Sequence, residues 1–226
     1  MFASDGTFVL TSGYRHFGIH RLDMSAEKLS LRGHNGGCSG IAFSPDGATL
    51  ASVGNKDGTV KFWDAATGRA VWSSDPLPGR CQFVAYSADG RLLVTTDFDS
   101  QIVRIWDVQT RKQLLNFGSS ERVTWSAQFS LDGKYLATAR SAPTTNSGIE
   151  IWAFESEGIG TPDARVQLKL VKSFHGRGEK IVLAPHGNHF SFTDNKRCFL
   201  WDFDATSGTL QVSLAKTRVY HGGKGL

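Results

Sequence analysis

The chain has 226 residues, of which 40% are hydrophobic and 20% charged, and its formal net charge is +4 at pH 7. This length and apolar content suit one sizeable globular unit and exclude a disordered chain. The sequence has neither a membrane-length apolar run nor a basic-then-apolar leader after Met1, so a cytoplasmic location is the default expectation.

Five similar segments follow one another along the chain. The first is MFASDGTFVLTSGYRHFGIHRLD, and it aligns with residues 43–64, 86–107, 129–153 and, more loosely, 183–202. The anchor residues of the five copies lie 41, 43, 46 and 49 residues apart, at Leu22, Trp63, Trp106, Trp152 and Trp201. A period of this length indicates a radially repeated or stacked β unit.

We place all repeats in a single domain, 1–226. The predicted repeat boundaries are approximately 1–32, 33–75, 76–118, 119–174 and 175–216, and residues 217–226 form the start of a further repeat or a closing strand.

The second copy shows the elements of one repeat most clearly. Short apolar runs at 39–43, 49–53, 59–63 and 69–72 are separated by turns rich in Asp and Gly. Asp and Gly suit such reversals, because Gly tolerates positive φ and Asp bonds its own backbone. Each repeat is therefore predicted to form four antiparallel strands, and the fold class is all-β.

The same copy carries a recognisable set of motif residues: Gly33 and His34 at its start, Asp46 and Gly47 at its first turn, and Trp63 and Asp64 at its end. In these residues the chain resembles the WD-repeat β-propeller family. The resemblance implies a β-propeller of about five four-stranded antiparallel blades, complete or as an incomplete ring. Strands a to d of each blade then run from the central channel outward.

The resemblance also implies a buried hydrogen-bond network of His34, Ser52, Asp57 and Trp63. Imidazole can donate from one nitrogen and accept at the other, whereas indole only donates. Although Ser, His and Asp are also the residues of hydrolase triads, Ser52 lies within a predicted strand rather than on an accessible turn. We therefore interpret the set as structural. The network is incomplete in the other copies; Ser100, for example, stands where Asp57 stands in the second.

No catalytic or metal motif accompanies the repeats. Cys38 and Cys81 occupy equivalent positions and are interpreted as small buried residues, with a disulfide or metal pair as the alternative. The sequence has no zinc-ligand spacing and no phosphate-binding loop. We therefore expect no metal, no cofactor and no enzymatic activity. A propeller enzyme with a site at the channel mouth is kept as an alternative function.

Charge is divided between the two faces of the predicted disc. The d–a and b–c loops share a basic face, whereas the a–b and c–d loops share an acidic one. Arg and aromatic residues are common anchors of protein interfaces. The predicted partner-binding residues on the basic face are Arg15, His16, Lys56, Arg80, Phe98, Arg122, Arg140, Lys196 and Arg197.

These features predict a non-catalytic protein-interaction scaffold whose partner is an acidic or phosphorylated protein segment. A nucleic-acid-associated propeller is the alternative, disfavoured because stacking aromatics and a phosphate-tracking row are sparse. No membrane partner is expected.

The two ends leave two arrangements open. Met1 aligns with Ala42, and residues 220–226 resemble the start of a sixth copy. The chain is either part of a longer propeller, which could self-associate through open blade edges, or a five-bladed ring closed by its tail.

Overall fold

The computed structural model describes residues 8–12, 17–21, 28–118, 123–141, 148–175, 180–183, 189–193, 198–203 and 210–215. These residues form strands and turns, and none of the described segments is helical. Within the described chain, accordingly, there is no helix of the length and apolar character needed to cross a membrane.

The strands form five sheets, which we call blades 1 to 5 in chain order. Blade 1 contains β1 (Phe8–Ser12), β2 (Phe17–Arg21) and β3 (Lys28–Leu31). Blade 2 contains β4 (Cys38–Phe43), β5 (Thr49–Gly54), β6 (Val60–Asp64) and β7 (Ala70–Ser73). Blade 3 contains β8 (Cys81–Tyr86), β9 (Leu92–Asp97), β10 (Ile102–Asp107) and β11 (Gln113–Gly118).

Blade 4 contains β12 (Val123–Phe129), β13 (Tyr135–Ser141), β14 (Gly148–Glu157) and β15 (Arg165–His175). Blade 5 contains β16 (Lys180–Leu183), β17 (His189–Thr193), β18 (Cys198–Phe203) and β19 (Leu210–Ala215). Every neighbouring pair within a blade is antiparallel. The predicted fold class, all-β with four-stranded antiparallel blades, is confirmed.

Blades 2 to 5 are arranged side by side through their first strands. β4 lies beside β8, β8 beside β12, and β12 beside β16. The apolar cores fill the spaces between sheets. Phe62 and Trp72 of blade 2, for example, pack with Tyr86 and Trp106 of blade 3. Side chains of the neighbouring blade therefore complete each apolar layer, as expected for a repeat architecture.

The a–b turns follow one hydrogen-bonding scheme. In blade 2, Ser44 Oγ donates to Asp46 Oδ1, which also accepts from the backbone N–H of Ala48 at 3.0 Å. The equivalent pairs are Ser87 with Asp89 and Ser130 with Asp132. The recurring Asp residues thus shape the turns.

Blade 4 departs from the others in its last two strands. β14 has 10 residues and β15 has 11, whereas β6 has 5 and β7 has 4. The resulting hairpin extends past its blade, and its tip reaches blade 3, where Gly160 N–H donates to Asp107 Oδ2 at 2.5 Å. The hairpin therefore covers part of the face formed by the a–b and c–d loops.

Candidate interaction surface and its buried support

The four predicted network residues of blade 2 form one chain of hydrogen bonds. Trp63 Nε1 donates to Ser52 Oγ at 2.7 Å, and Ser52 Oγ lies 2.7 Å from His34 Nε2. His34 Nδ1 lies 3.0 Å from Asp57 Oδ2. Because the indole only donates and the carboxylate only accepts, the partners assign the proton to His34 Nδ1 and leave Nε2 to accept from Ser52.

Burial sets the protonation of this network. Desolvation lowers the pKa of His34 below its ordinary value, although Asp57 opposes the shift. Burial alone would raise the pKa of Asp57, but backbone N–H donation from Thr59 and Asn35, together with His34, lowers it. A neutral imidazole beside an ionised carboxylate results, which matches the hydrogen-bond directions.

Two glycines make room for the network. A Cβ added to Gly33 would lie 2.9 Å from Cη2 of the Trp63 ring. A Cβ added to Gly54 would lie 1.6 Å from Asp57 Oδ1 and 2.6 Å from His34 Nδ1. Any side chain at Gly54 would therefore displace the His–Asp pair.

Blades 3 and 4 keep only the innermost bond of this network. Trp106 Nε1 donates to Thr95 Oγ1 at 3.0 Å, and Trp152 Nε1 donates to Thr138 Oγ1 at 3.1 Å. Both blades have a charged residue at the position equivalent to Gly54. The space that the His–Asp pair occupies in blade 2 is used differently in these blades.

Buried ion pairs occupy that space, and their charges are reversed between the two blades. In blade 3, Asp97 on β9 accepts from Arg104 on β10 and from Ser100 Oγ. In blade 4, Arg140 on β13 lies 3.2 Å from Glu150 on β14, measured from Nη1 to Oε2. In each case strand b and strand c supply opposite charges, so each pair is neutral within its own blade.

This pairing corrects the expectation for Arg140. Its side chain is only 7% exposed, and the guanidinium carbon lies 6.0 Å from the centre of the Phe117 ring and 5.9 Å from that of Trp152. Beside both rings and Glu150, Arg140 does not lie on an accessible surface. It is a buried member of blade 4.

Three of the predicted surface residues lie among the described loops. Lys56 and Arg80 are exposed and Phe98 is half-buried. The Arg80 guanidinium contacts Asp99 at 2.8 Å and lies 4.9 Å from the centre of the Phe98 ring. Arg80 and Phe98 therefore form one stacked unit, held in place by Asp99. Arg15, His16, Arg122, Lys196 and Arg197 lie outside the described residues.

Trp125, which supports this unit, was not among the residues predicted from the sequence. Trp125 lies at a β-bulge of β12, and its ring meets Phe98 edge-on with centroids 5.7 Å apart. Bulges fall at the same place in β4 and β8, next to Ser39 and Gln82. The repeat period places Trp125 at the position equivalent to Gln82, since it stands 43 residues later. A bulge, however, cannot be read from an alternating pattern.

Cys38 and Cys81 are free cysteines. Burial raises the pKa of each thiol to about 12, so neither is a reactive thiolate at neutral pH. The disulfide alternative is therefore wrong for this pair. Among the described residues no group of three or more His, Cys, Asp or Glu side chains could hold a metal ion.

Blades 2 to 5 are antiparallel four-stranded sheets set side by side by their inner strands. In each of blades 2 to 4, a Trp donates to a strand-b hydroxyl. This arrangement defines a β-propeller. In sequence the chain is similar to the WD-repeat family of propellers. A sequence model of the family "WD domain, G-beta repeat" matches residues 26–64, and one of "Eukaryotic translation initiation factor eIF2A" matches residues 54–164.

Several curated proteins are similar to parts of the chain. An uncharacterized WD repeat-containing protein of Synechocystis is 32% identical over 69 residues, which is 30% of this chain and 20% of that protein. The small ribosomal subunit protein RACK1 of Glycine max is 48% identical over 46 residues, 20% of this chain and 14% of RACK1. The ribosome biogenesis protein ERB1 of Chaetomium thermophilum is 43% identical over 49 residues, 22% of this chain and 6% of ERB1. The matches thus span a fifth or less of these relatives.

A solved structure shares the fold over most of the chain. It is described as a candidate 6-phosphogluconolactonase from Bacteroides uniformis, with a TM-score of 0.73 and 15% sequence identity. The match covers 92% of this chain and 67% of that protein. At this identity the likeness shows the propeller fold alone.

Proposed function

We propose that the protein is a non-catalytic interaction scaffold that binds an acidic or phosphorylated protein segment on the face formed by its d–a and b–c loops. The stacked unit of Arg80 on Phe98 carries the proposal. An exposed guanidinium ordered on an aromatic ring is a pre-organised partner for a carboxylate or phosphate.

Two further observations support this surface. Asp99 holds Arg80 in a fixed geometry through its Nε and Nη2 donors, so a ligand would meet an already ordered guanidinium. Lys56 adds an exposed positive charge on the b–c loop of the neighbouring blade. The described part of the face thus offers Lys56, the Asp99-paired guanidinium of Arg80 on the adjacent blade, and an aromatic platform.

Charge reversal with a matched control tests the proposal. Lys56→Glu with Arg80→Glu should weaken binding of labelled acidic and phosphoserine peptides about tenfold or more, measured by fluorescence anisotropy. Arg69→Glu with Lys112→Glu makes the same charge change on exposed c–d residues and should change affinity less than about twofold. Equal losses of affinity in the two variants would mean that the effect comes from the net charge of the protein, and the proposed surface would be rejected.

The relatives support a second candidate function, in a nucleic-acid-containing particle. RACK1 and ERB1 are named for the ribosomal subunit and for ribosome biogenesis, and the eIF2A model covers residues 54–164. The same basic face would then contact RNA phosphates. Affinity for a single-stranded RNA oligonucleotide should in that case fall linearly on a log–log plot against salt, with Lys56→Glu and Arg80→Glu reducing the slope. An affinity that salt does not change would exclude this function.

A further inference from the structure

A cleft of about 550 Å³ opens between blades 2 and 3 on the face formed by the a–b and c–d loops. This is the opposite face from the proposed partner surface. The volume is within the range of ligand-binding clefts. Asp46, Asp89 and Asp107 line the cleft with a single cation, Arg91, so its charge is negative.

The long hairpin of blade 4 supplies one wall of this cleft. Ile159 and Gly160 at its tip line the opening, and Gly160 N–H donates to Asp107 Oδ2 at 2.5 Å. The Arg91 guanidinium donates to the carbonyl oxygen of Ile159. Asp107 is fully buried, and Arg91, which is exposed, is bonded to the wall, so both charges help to attach the hairpin.

Asp46 and Asp89 are the exposed carboxylates of the cleft. Each carboxylate caps its own turn through Oδ1, which accepts from Ser44 Oγ and Ser87 Oγ respectively, both at 2.5 Å. Donation from Ser44 and from a backbone N–H lowers the pKa of Asp46, which is therefore ionised at neutral pH. In the described part of the chain the turn bonds leave Oδ2 of both residues to accept from another group.

The two acidic turns are close together and have apolar surroundings. A Cβ added to Gly90 would lie 3.2 Å from Cδ of Pro45, so the turn of blade 3 contacts that of blade 2. The side chains of Pro45, Val108 and Ile159 add apolar lining. The cleft thus combines two turn-capping carboxylates with apolar side chains.

We propose that this cleft binds an arginine side chain from a basic segment of a partner protein. A guanidinium has five donors in a planar fork, which can bridge two carboxylates, while its weakly hydrated faces pack on apolar side chains. A lysine ammonium is a compact, strongly hydrated charge that suits the apolar lining less well. The proposal does not depend on the basic face.

Neutral substitutions that keep the turns test this inference. Asn retains the Oδ1 acceptor, so Asp46→Asn with Asp89→Asn removes charge without removing the caps. The probe is a fluorescein-labelled hexapeptide with two arginines, compared with its citrulline and lysine counterparts by anisotropy. We expect saturable binding of the arginine peptide with a Kd below about 1 mM, weakened about tenfold or more in the double variant.

Asp64→Asn with Asp132→Asn is the matched control. Both residues cap turns on the same face through Oδ1, but neither lines the cleft. This variant should bind the arginine peptide within about twofold of wild type. Equal losses in both variants, equal binding of the citrulline or lysine peptide, or no saturable binding by wild type would each overturn the proposal.

Discussion

Ser52→Ala removes the one atom that joins both halves of the blade 2 network. Ser52 Oγ lies 2.7 Å from Trp63 Nε1 and 2.7 Å from His34 Nε2, and Ser52 and Trp63 are each 2% exposed. Leaving one buried polar group unsatisfied costs about 1–3 kcal/mol. Because two groups lose their partner here, we expect a loss of about 2–6 kcal/mol in the free energy of unfolding.

Thr95→Val provides the internal standard. The Thr95 hydroxyl accepts from Trp106 alone among the described residues, at 3.0 Å. The isosteric change therefore leaves only the Trp106 N–H without a partner and should cost about 1–3 kcal/mol in the free energy of unfolding. Urea unfolding followed by tryptophan fluorescence and far-UV circular dichroism measures both variants. A Ser52→Ala midpoint equal to that of wild type, or a smaller loss than for Thr95→Val, would refute a shared role of this hydroxyl.

Three other perturbations test the surrounding geometry. Burial lowers the pKa of His34 in the folded state from its ordinary value of 6.5, so the unfolded chain takes up this proton first as pH falls. Wild type should therefore lose stability below pH 6.5, and His34→Gln should lose less. Unfolding measured as a function of pH checks this. Gly54→Ala should cost about 3 kcal/mol by chemical denaturation, because its Cβ would overlap Asp57. Arg104→Met should cost about 3–5 kcal/mol by leaving Asp97 buried without its partner, whereas adding Asp97→Leu should recover most of that loss.

The blade 2 network could be predicted because its residues stand at motif positions. His34, Ser52, Asp57 and Trp63 fall at the expected places of a complete repeat, and the period then places the strands. The pairs of blades 3 and 4 could not be predicted in this way. Asp97 and Arg104, or Arg140 and Glu150, meet only through the pairing register of strands b and c, which the turn between them sets.

Arg140 shows why surface residues were harder to predict. The sequence places it next to a lengthened b–c turn, where an Arg is usually a solvated loop residue. In the structure it still belongs to β13 and contacts β14. The tip of the β14–β15 hairpin was missed for a related reason. A longer hairpin has the same local strand pattern as a short one. The pattern therefore does not predict which blade the tip of the hairpin contacts.

The reversed ion pairs limit how blades 3 and 4 could exchange segments. Placing β13 beside β10 would bring Arg140 against Arg104, and placing β9 beside β14 would bring Asp97 against Glu150. Each hybrid would bury two like charges, at a cost well beyond that of one missing hydrogen bond. The hairpin of strands b and c is therefore the smallest piece that recombination could move between these blades without unbalancing their interior charge.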